Sequence, residues 1–175
     1  MSAIAQTTSK SRYRGFSLVE ILIVVVILGI LAAIAVPKLS NASQIAREST
    51  LKDDLRFLRT QIQVYRSHHR DVCPGYPNGD MNQTPTEAVF VEQLTQYTNE
   101  FGATSATATA THKFGPYLTR MPENPVNAKV DIKIIGPGEE LTPDGTTGWL
   151  YQPSTGQIMA NLVGIDSESK SFSKY

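Results

Sequence analysis

The sequence predicts an α+β protein: a long N-terminal helix, one half membrane-spanning and the other amphipathic, packed on a small antiparallel β-sheet head. Three observations carry this. Nearly every residue from Phe16 to Val36 is apolar. Leu51, Leu55, Leu58, Ile62 and Tyr65 then recur at spacings of 4, 3, 4 and 3, one face of a helix. The last third of the chain holds short alternating segments separated by turn residues. At 175 residues the chain is long enough for one soluble domain beside its apolar segment. The boundaries expected are a basic leader at 1–15, a transmembrane helix at 16–37, and a head at 38–175 that includes the amphipathic half of the helix, 38–70.

Residues 1–15 carry Lys10, Arg12 and Arg14, no acid and no hydrophobic periodicity, so they are expected to be disordered. The run Phe16–Val36 has 21 residues, broken by Ser17 and Glu20; a helix needs about 20 to cross a bilayer. Its basic flank lies on the N-terminal side, which places the N-terminus in the cytoplasm and the rest of the chain outside. Pro37 removes one helix hydrogen bond and crowds the carbonyl of Ala33, which kinks a helix. The helical pattern resumes beyond it, so the helix is expected to continue to about Arg70, with Arg56, Arg59 and Arg66 off the apolar stripe.

The breakers Cys73-Pro74-Gly75-Tyr76-Pro77-Asn78-Gly79-Asp80 end that helix. A short second helix is predicted from Thr86, its cap, to about Tyr97, with Phe90, Leu94 and Tyr97 on one side. Ala103–Thr111 is of low complexity and reads as a mobile surface loop. His112–Asn127 is rich in Gly and Pro and reads as an ordered loop pinned by Phe114, Tyr117, Leu118 and Met121. Strands are predicted at Val130–Ile135, Gly148–Gln152 and Gln157–Asn161, the last two joined by the turn Pro153-Ser154-Thr155-Gly156. Trp149 and Tyr151 face one way and Leu150 the other. The polar stretch Asp166–Tyr175 is expected to fray.

Formal net charge is zero, but the charges are segregated. Residues 38–70 hold seven Lys/Arg against Glu48, Asp53 and Asp54, while the chain from Asp71 onward holds six against twelve acids. A mildly acidic head argues against nucleic acid as a partner, because phosphate binding needs a concentrated basic surface. Cys73 is the single cysteine and reads as an inert thiol. His68 and His69 read as a solvated helix end. No phosphate loop, zinc spacing or nucleophile elbow occurs, so no enzyme activity is expected.

Gly15-Phe16-Ser17-Leu18-Val19-Glu20 stands where the basic leader meets the apolar run. Gly15, without a Cβ, lets the backbone take an extended, closely approached form at this junction. Glu20 inside an apolar run costs a few kcal/mol in lipid. An ammonium close to it, in the same chain or a neighbour, would offset that cost. Glu20 at the headgroup boundary, reaching out to water, is the alternative.

With these residues and the position of Pro37, the N-terminal third resembles the type IV prepilins and type II secretion pseudopilins. The resemblance implies a pilin-like fold. It also implies cleavage between Gly15 and Phe16 by prepilin peptidase, N-methylation of Phe16, and assembly through Glu20 and the apolar helix. The partners implied are other copies of the chain, further pilin-like subunits and an inner-membrane assembly platform. The implied location is the inner membrane, single-pass, with the head in the periplasm, and later the fibre itself. Farther along, Phe114-Gly115-Pro116-Tyr117-Leu118, Met121-Pro122-Glu123-Asn124-Pro125 and Gly148-Trp149-Leu150-Tyr151 with Gly156 resemble the major, G-type pseudopilin. That group often binds calcium in a C-terminal loop. Asp131, Glu139, Glu140 and Asp144 supply oxygen, but their spacing places no such loop and no cofactor is assigned.

Two other readings of the N-terminus stand beside this one. A single-pass anchor carrying a periplasmic binding module would stay uncut, would not polymerise and would give Glu20 no task. Ala33-Ile34-Ala35 also fits an ordinary secretory cleavage site, with a mature chain starting at Val36. Secretion, adhesion, twitching and DNA-uptake machines share the prepilin N-terminus, so the motif alone does not choose among them.

Overall fold

A computed structural model describes residues 15–175. The leader and its expected disorder lie outside the described residues, apart from Gly15. The chain divides into an N-terminal unit ending at Ser40 and a second unit, Asn41–Tyr175. One helix, α1 (Leu18–His68), contributes to both and runs through Pro37 as the resumed pattern requires.

Within the second unit, Leu51, Leu55, Leu58, Ile62 and Tyr65 are all at most 1% exposed. They join Phe90, Leu94, Trp149, Tyr151 and Ile158 in one apolar core. The stripe read from spacing is therefore the helix's contribution to the core, while Phe57 and Val64, off the stripe, remain exposed. α1 ends two residues earlier than expected. Arg70 and Asp71 take left-handed φ of 56° and 67°, and the Asp71 amide donates back to the Arg66 carbonyl at 3.1 Å, closing the last turn.

Helix α2 (Glu87–Thr95) begins at the predicted cap: the Thr86 hydroxyl accepts from the Val89 amide at 3.3 Å. Phe90 and Leu94 are buried. Tyr97 does not prolong the helix; it opens β1 (Tyr97–Thr98), which pairs antiparallel with β2 (Thr104–Ser105). The stretch read as loop from Ala103 thus starts with a strand, too short to show an alternation. His112–Asn127 is held as expected, with Tyr117 and Leu118 buried and Phe114 and Met121 packed on the core.

The second sheet has the order β3 (Ile132–Ile134), β4 (Trp149–Gln152), β5 (Gln157–Ala160). The β4–β5 hairpin is antiparallel, with Trp149 opposite Ala160 and Tyr151 opposite Ile158. The expectation of a wholly antiparallel sheet is corrected at β3, which runs parallel to β4 with Ile132 beside Trp149. The long connection 135–148 carries the chain back to the start of the sheet, as parallel pairing demands. Gln152 pins that connection, its Nε2 donating to the carbonyls of Gly136 and Glu139, both at 2.9 Å. Gly148 is required by close approach, because a Cβ there would meet the Lys129 carbonyl oxygen at 2.2 Å.

Two polar expectations also change. His69 is not solvated: it is 2% exposed, Nδ1–H donates to the Tyr65 carbonyl at 2.6 Å, and Nε2 accepts from the Thr98 hydroxyl at 2.8 Å. Its ring stacks on Tyr65 with centroids 3.7 Å apart. The C-terminal stretch is not frayed either. Phe172 is buried in the core, and the buried carboxylate of Glu48 accepts from the amide of Ser167 at 3.0 Å and from its hydroxyl. Asp166 accepts from the Tyr175 hydroxyl and from the amides of Glu168 and Lys170, and Arg59 donates to the Tyr175 carbonyl at 2.7 Å. Cys73 is buried, and burial raises its thiol pKa, which keeps it protonated and inert.

This packing makes two predictions. Replacing Leu58 with Ala should cost about 2–5 kcal/mol, whereas Phe57→Ala should cost less than about 1 kcal/mol; urea unfolding of the full chain in detergent measures both. The second concerns acid. Burial lowers the pKa of His69 by disfavouring the imidazolium. Burial raises that of Glu48, but hydrogen bonds from Ser167 and Gln44 outweigh it and leave a net lowering. The Tyr175 hydroxyl is the largest cause that lowers Asp166. In each case the unfolded chain takes up the proton first, so the contribution is complete above the unfolded value and is lost as pH falls through the folded one. The thermal midpoint should begin to drop below about pH 6.5 through His69, and again below about 4.5 through the carboxylates. A His69→Asn chain should lack the upper limb of that curve; an unaltered limb would assign it to another group.

Candidate processing and assembly site

Gly15, Phe16 and Ser17 precede the helix, and Leu18, Val19 and Glu20 form its first turn. The Glu20 and Ile21 amides donate to the Ser17 carbonyl at 3.0 and 3.2 Å, which makes Ser17 the residue at the cap. Glu20 reaches back, its Oε2 lying 3.5 Å from the Ser17 amide nitrogen. This is the long-range half of a capping box, and a carboxylate in the first turn also meets the positive end of the helix dipole. Glu20 therefore has a local partner that its spacing from Phe16 does not reveal; Ser17, three residues before it, is the readable signal.

The surroundings of this turn are apolar and uncovered. Leu18–Ala35 is long and apolar enough to cross a membrane, and none of it is buried among the described residues. Phe16 and Leu18 are 77% and 82% exposed. The side chains are spread around the full circumference of the helix, so no single face is left for water.

The head contributes no second cluster of chemistry to this picture. Among the described residues no group of three or more His, Cys, Asp or Glu side chains converges as a metal site would. The carbonyl of Asp131 accepts from the amides of Gly148 and Trp149, and Glu139 accepts from the Gly136 amide at 3.1 Å. Asp144 lies in a separate network with Lys133. A groove of about 370 Å³ between Tyr76, Pro85, Ile134 and Pro137 presents no charged side chain.

A family model described as the prokaryotic N-terminal methylation motif matches residues 10–36. That defines the class: a chain with a prepilin-type N-terminus. The relatives extend beyond it. The chain is 28% identical over 152 residues to the type II secretion system core protein G of Aeromonas hydrophila, covering 80% of this chain and 94% of that one. It is 30% identical over 142 residues to the protein of that name from Klebsiella pneumoniae, covering 77% and 87%. Against that of Escherichia coli (strain K12) it is 27% identical over 147 residues, covering 78% and 86%. No solved structure matches the chain. The chain belongs to the type II secretion system core protein G family.

Proposed function

We propose that the chain is a structural subunit of a type II secretion pseudopilus, made as a precursor and polymerised through its N-terminal helix. The observation that carries this is a carboxylate, Glu20, in the first turn of an apolar helix that finds no cover among the described residues. Prepilin peptidase cuts between Gly15 and Phe16 on the cytoplasmic side and methylates the new Phe16 amine. The precursor sits in the inner membrane as a single-pass protein with its head in the periplasm, and residues 16–37 provide both the membrane span and the fibre core.

The physical logic is a change of solvent. Lipid covers the helix before assembly, and neighbouring helices cover it afterwards. Cleavage converts the Phe16 amide into an ammonium. Glu20 can then pair with that charge on its own chain or on an adjacent subunit, which sets the axial register between them. Pro37 gives the helix a place to bend where the apolar circumference ends. The role is mechanical and calls for no catalytic residue.

The mature N-terminus tests the processing step. Mass spectrometry of protein recovered from its own cells should find N-methylated Phe16; a chain starting at Val36, or an uncut one, would reject it. Assembly is tested separately. Glu20→Ala should still be cut after Gly15 yet fail to enter fibres sheared from the cells, and normal incorporation of that variant would remove the pairing mechanism.

A further inference from the structure

The connection between β3 and β4 holds a loop, residues 144–147, with an unusual centre: two lysine ammonium groups. Lys129 Nζ donates to the carbonyl oxygens of Gly145 at 2.8 Å and Thr146 at 2.9 Å. Lys133 Nζ donates to Asp144 Oδ2 at 2.7 Å, and as the largest cause it holds that carboxyl well below its usual range. Asp144 Oδ1 accepts from the Thr146 amide at 2.9 Å, the Thr146 hydroxyl at 2.7 Å and Asn161 Nδ2 at 2.7 Å.

Asn161 backs the loop from the core side and is fully buried. Its Oδ1 accepts from the amides of Asp144 at 2.7 Å and Gly145 at 3.0 Å, and its Nδ2 also donates to the Thr147 hydroxyl at 2.8 Å. Asn127 Nδ2 donates to the Thr147 carbonyl at 3.0 Å. Both Asp144 carboxylate oxygens and the carbonyls of Gly145, Thr146 and Thr147 are thus engaged by N–H or O–H donors.

Calcium binding, which the resemblance to the major pseudopilins implies for a C-terminal loop, does not fit this donor set. Calcium takes six to eight oxygens at about 2.3–2.6 Å. Here the oxygens already carry hydrogen bonds, and two of their donors are cations. A divalent ion placed among them would have to displace both ammonium groups or lie within a few ångströms of them, where like charges repel strongly. The remaining candidates, Asp131, Glu139 and Glu140, do not join Asp144 in any cluster.

We infer that the ammonium groups of Lys129 and Lys133 are the resident cations of this loop, and that this loop holds its shape without calcium. An ammonium supplies the positive charge and directed N–H bonds that bring the carbonyls of Gly145 and Thr146 together. Because it is tethered to β3 and its approach, it is not lost by dilution. This inference is independent of whether the chain polymerises.

Hydrogen exchange of the full chain in detergent tests it, first in EGTA and then in calcium chloride at about 10 mM, above the dissociation constants of weak extracellular calcium modules. The amides of Gly145 and Thr146 should keep the same protection in EGTA as in calcium. Loss of protection at those two amides in EGTA, restored by calcium, overturns the inference. Replacing both lysines with Met should expose the two amides, while replacing both with Arg should retain more of their protection. Full protection in the Met pair would show that the ammonium groups do not organise the loop.

Discussion

The head depends on one contact, that between the Leu51–Tyr65 stripe of α1 and the sheet residues Trp149, Tyr151 and Ile158. Each side alone is unstable in water: an isolated amphipathic helix is marginal, and a three-stranded sheet of three- and four-residue strands more so. Together they bury Leu51, Leu55, Leu58, Ile62 and Tyr65 almost completely along with Trp149 and Tyr151. Phe90 of α2 lies 4.3 Å from the Tyr151 ring, centroid to centroid, and Tyr151 donates its hydroxyl to the Pro74 carbonyl at 3.0 Å. The loop that follows α1, the second helix and the sheet are therefore all referred to the same helical face.

That face has polar ends. Counting along the stripe gives Glu48, Leu51, Leu55, Leu58, Ile62, Tyr65, His69, with spacings of 3 or 4 throughout. Glu48 and His69 are nearly as buried as the leucines between them. Buried polar groups are tolerated when they are bonded, and each of these takes in a distant part of the chain: Glu48 receives Ser167, and His69 receives Thr98. The apolar middle supplies most of the burial, and the two ends fix where β1 and the C-terminal segment attach.

This arrangement explains which parts of the fold are legible in the sequence. The apolar run, the stripe, the Thr86 cap and the β4–β5 turn are local patterns, and each appears where its spacing puts it. Pairing direction is not local: nothing in Ile132–Ile134 says whether its partner runs parallel, because that is decided by the course of residues 135–148. Strands of two residues leave no alternation to read, so β1 and β2 carry no signal of their own. Asp166–Tyr175 has the composition of a frayed end because only Phe172 and Tyr175 are bulky, while the group that holds Ser167 lies more than a hundred residues away at Glu48. His69 is obscured for a related reason: a polar residue at the next step of an apolar period looks like the end of the period. At the N-terminus the processing motif is wholly local, which is why Gly15, Phe16 and Glu20 stand out in the amino-acid sequence by themselves.

The two units differ in how completely they satisfy themselves. In the head, among the described residues, no buried side-chain nitrogen or oxygen lacks a hydrogen-bond partner. Gln93, fully buried, accepts from the Gly75 amide and donates to the carbonyls of Tyr76 and Gly102. The N-terminal helix is the opposite case. Its apolar side chains from Leu18 to Ile34 are about half exposed or more, and its one carboxylate has only a long contact to the Ser17 amide. Apolar surface of that extent must be covered by something beyond the described residues. Among the described residues, the apolar surface that needs a partner is therefore that of Leu18 to Ile34. A chain divided in this way is suited to being repeated along an axis, because the surface that needs a partner is the same on every copy.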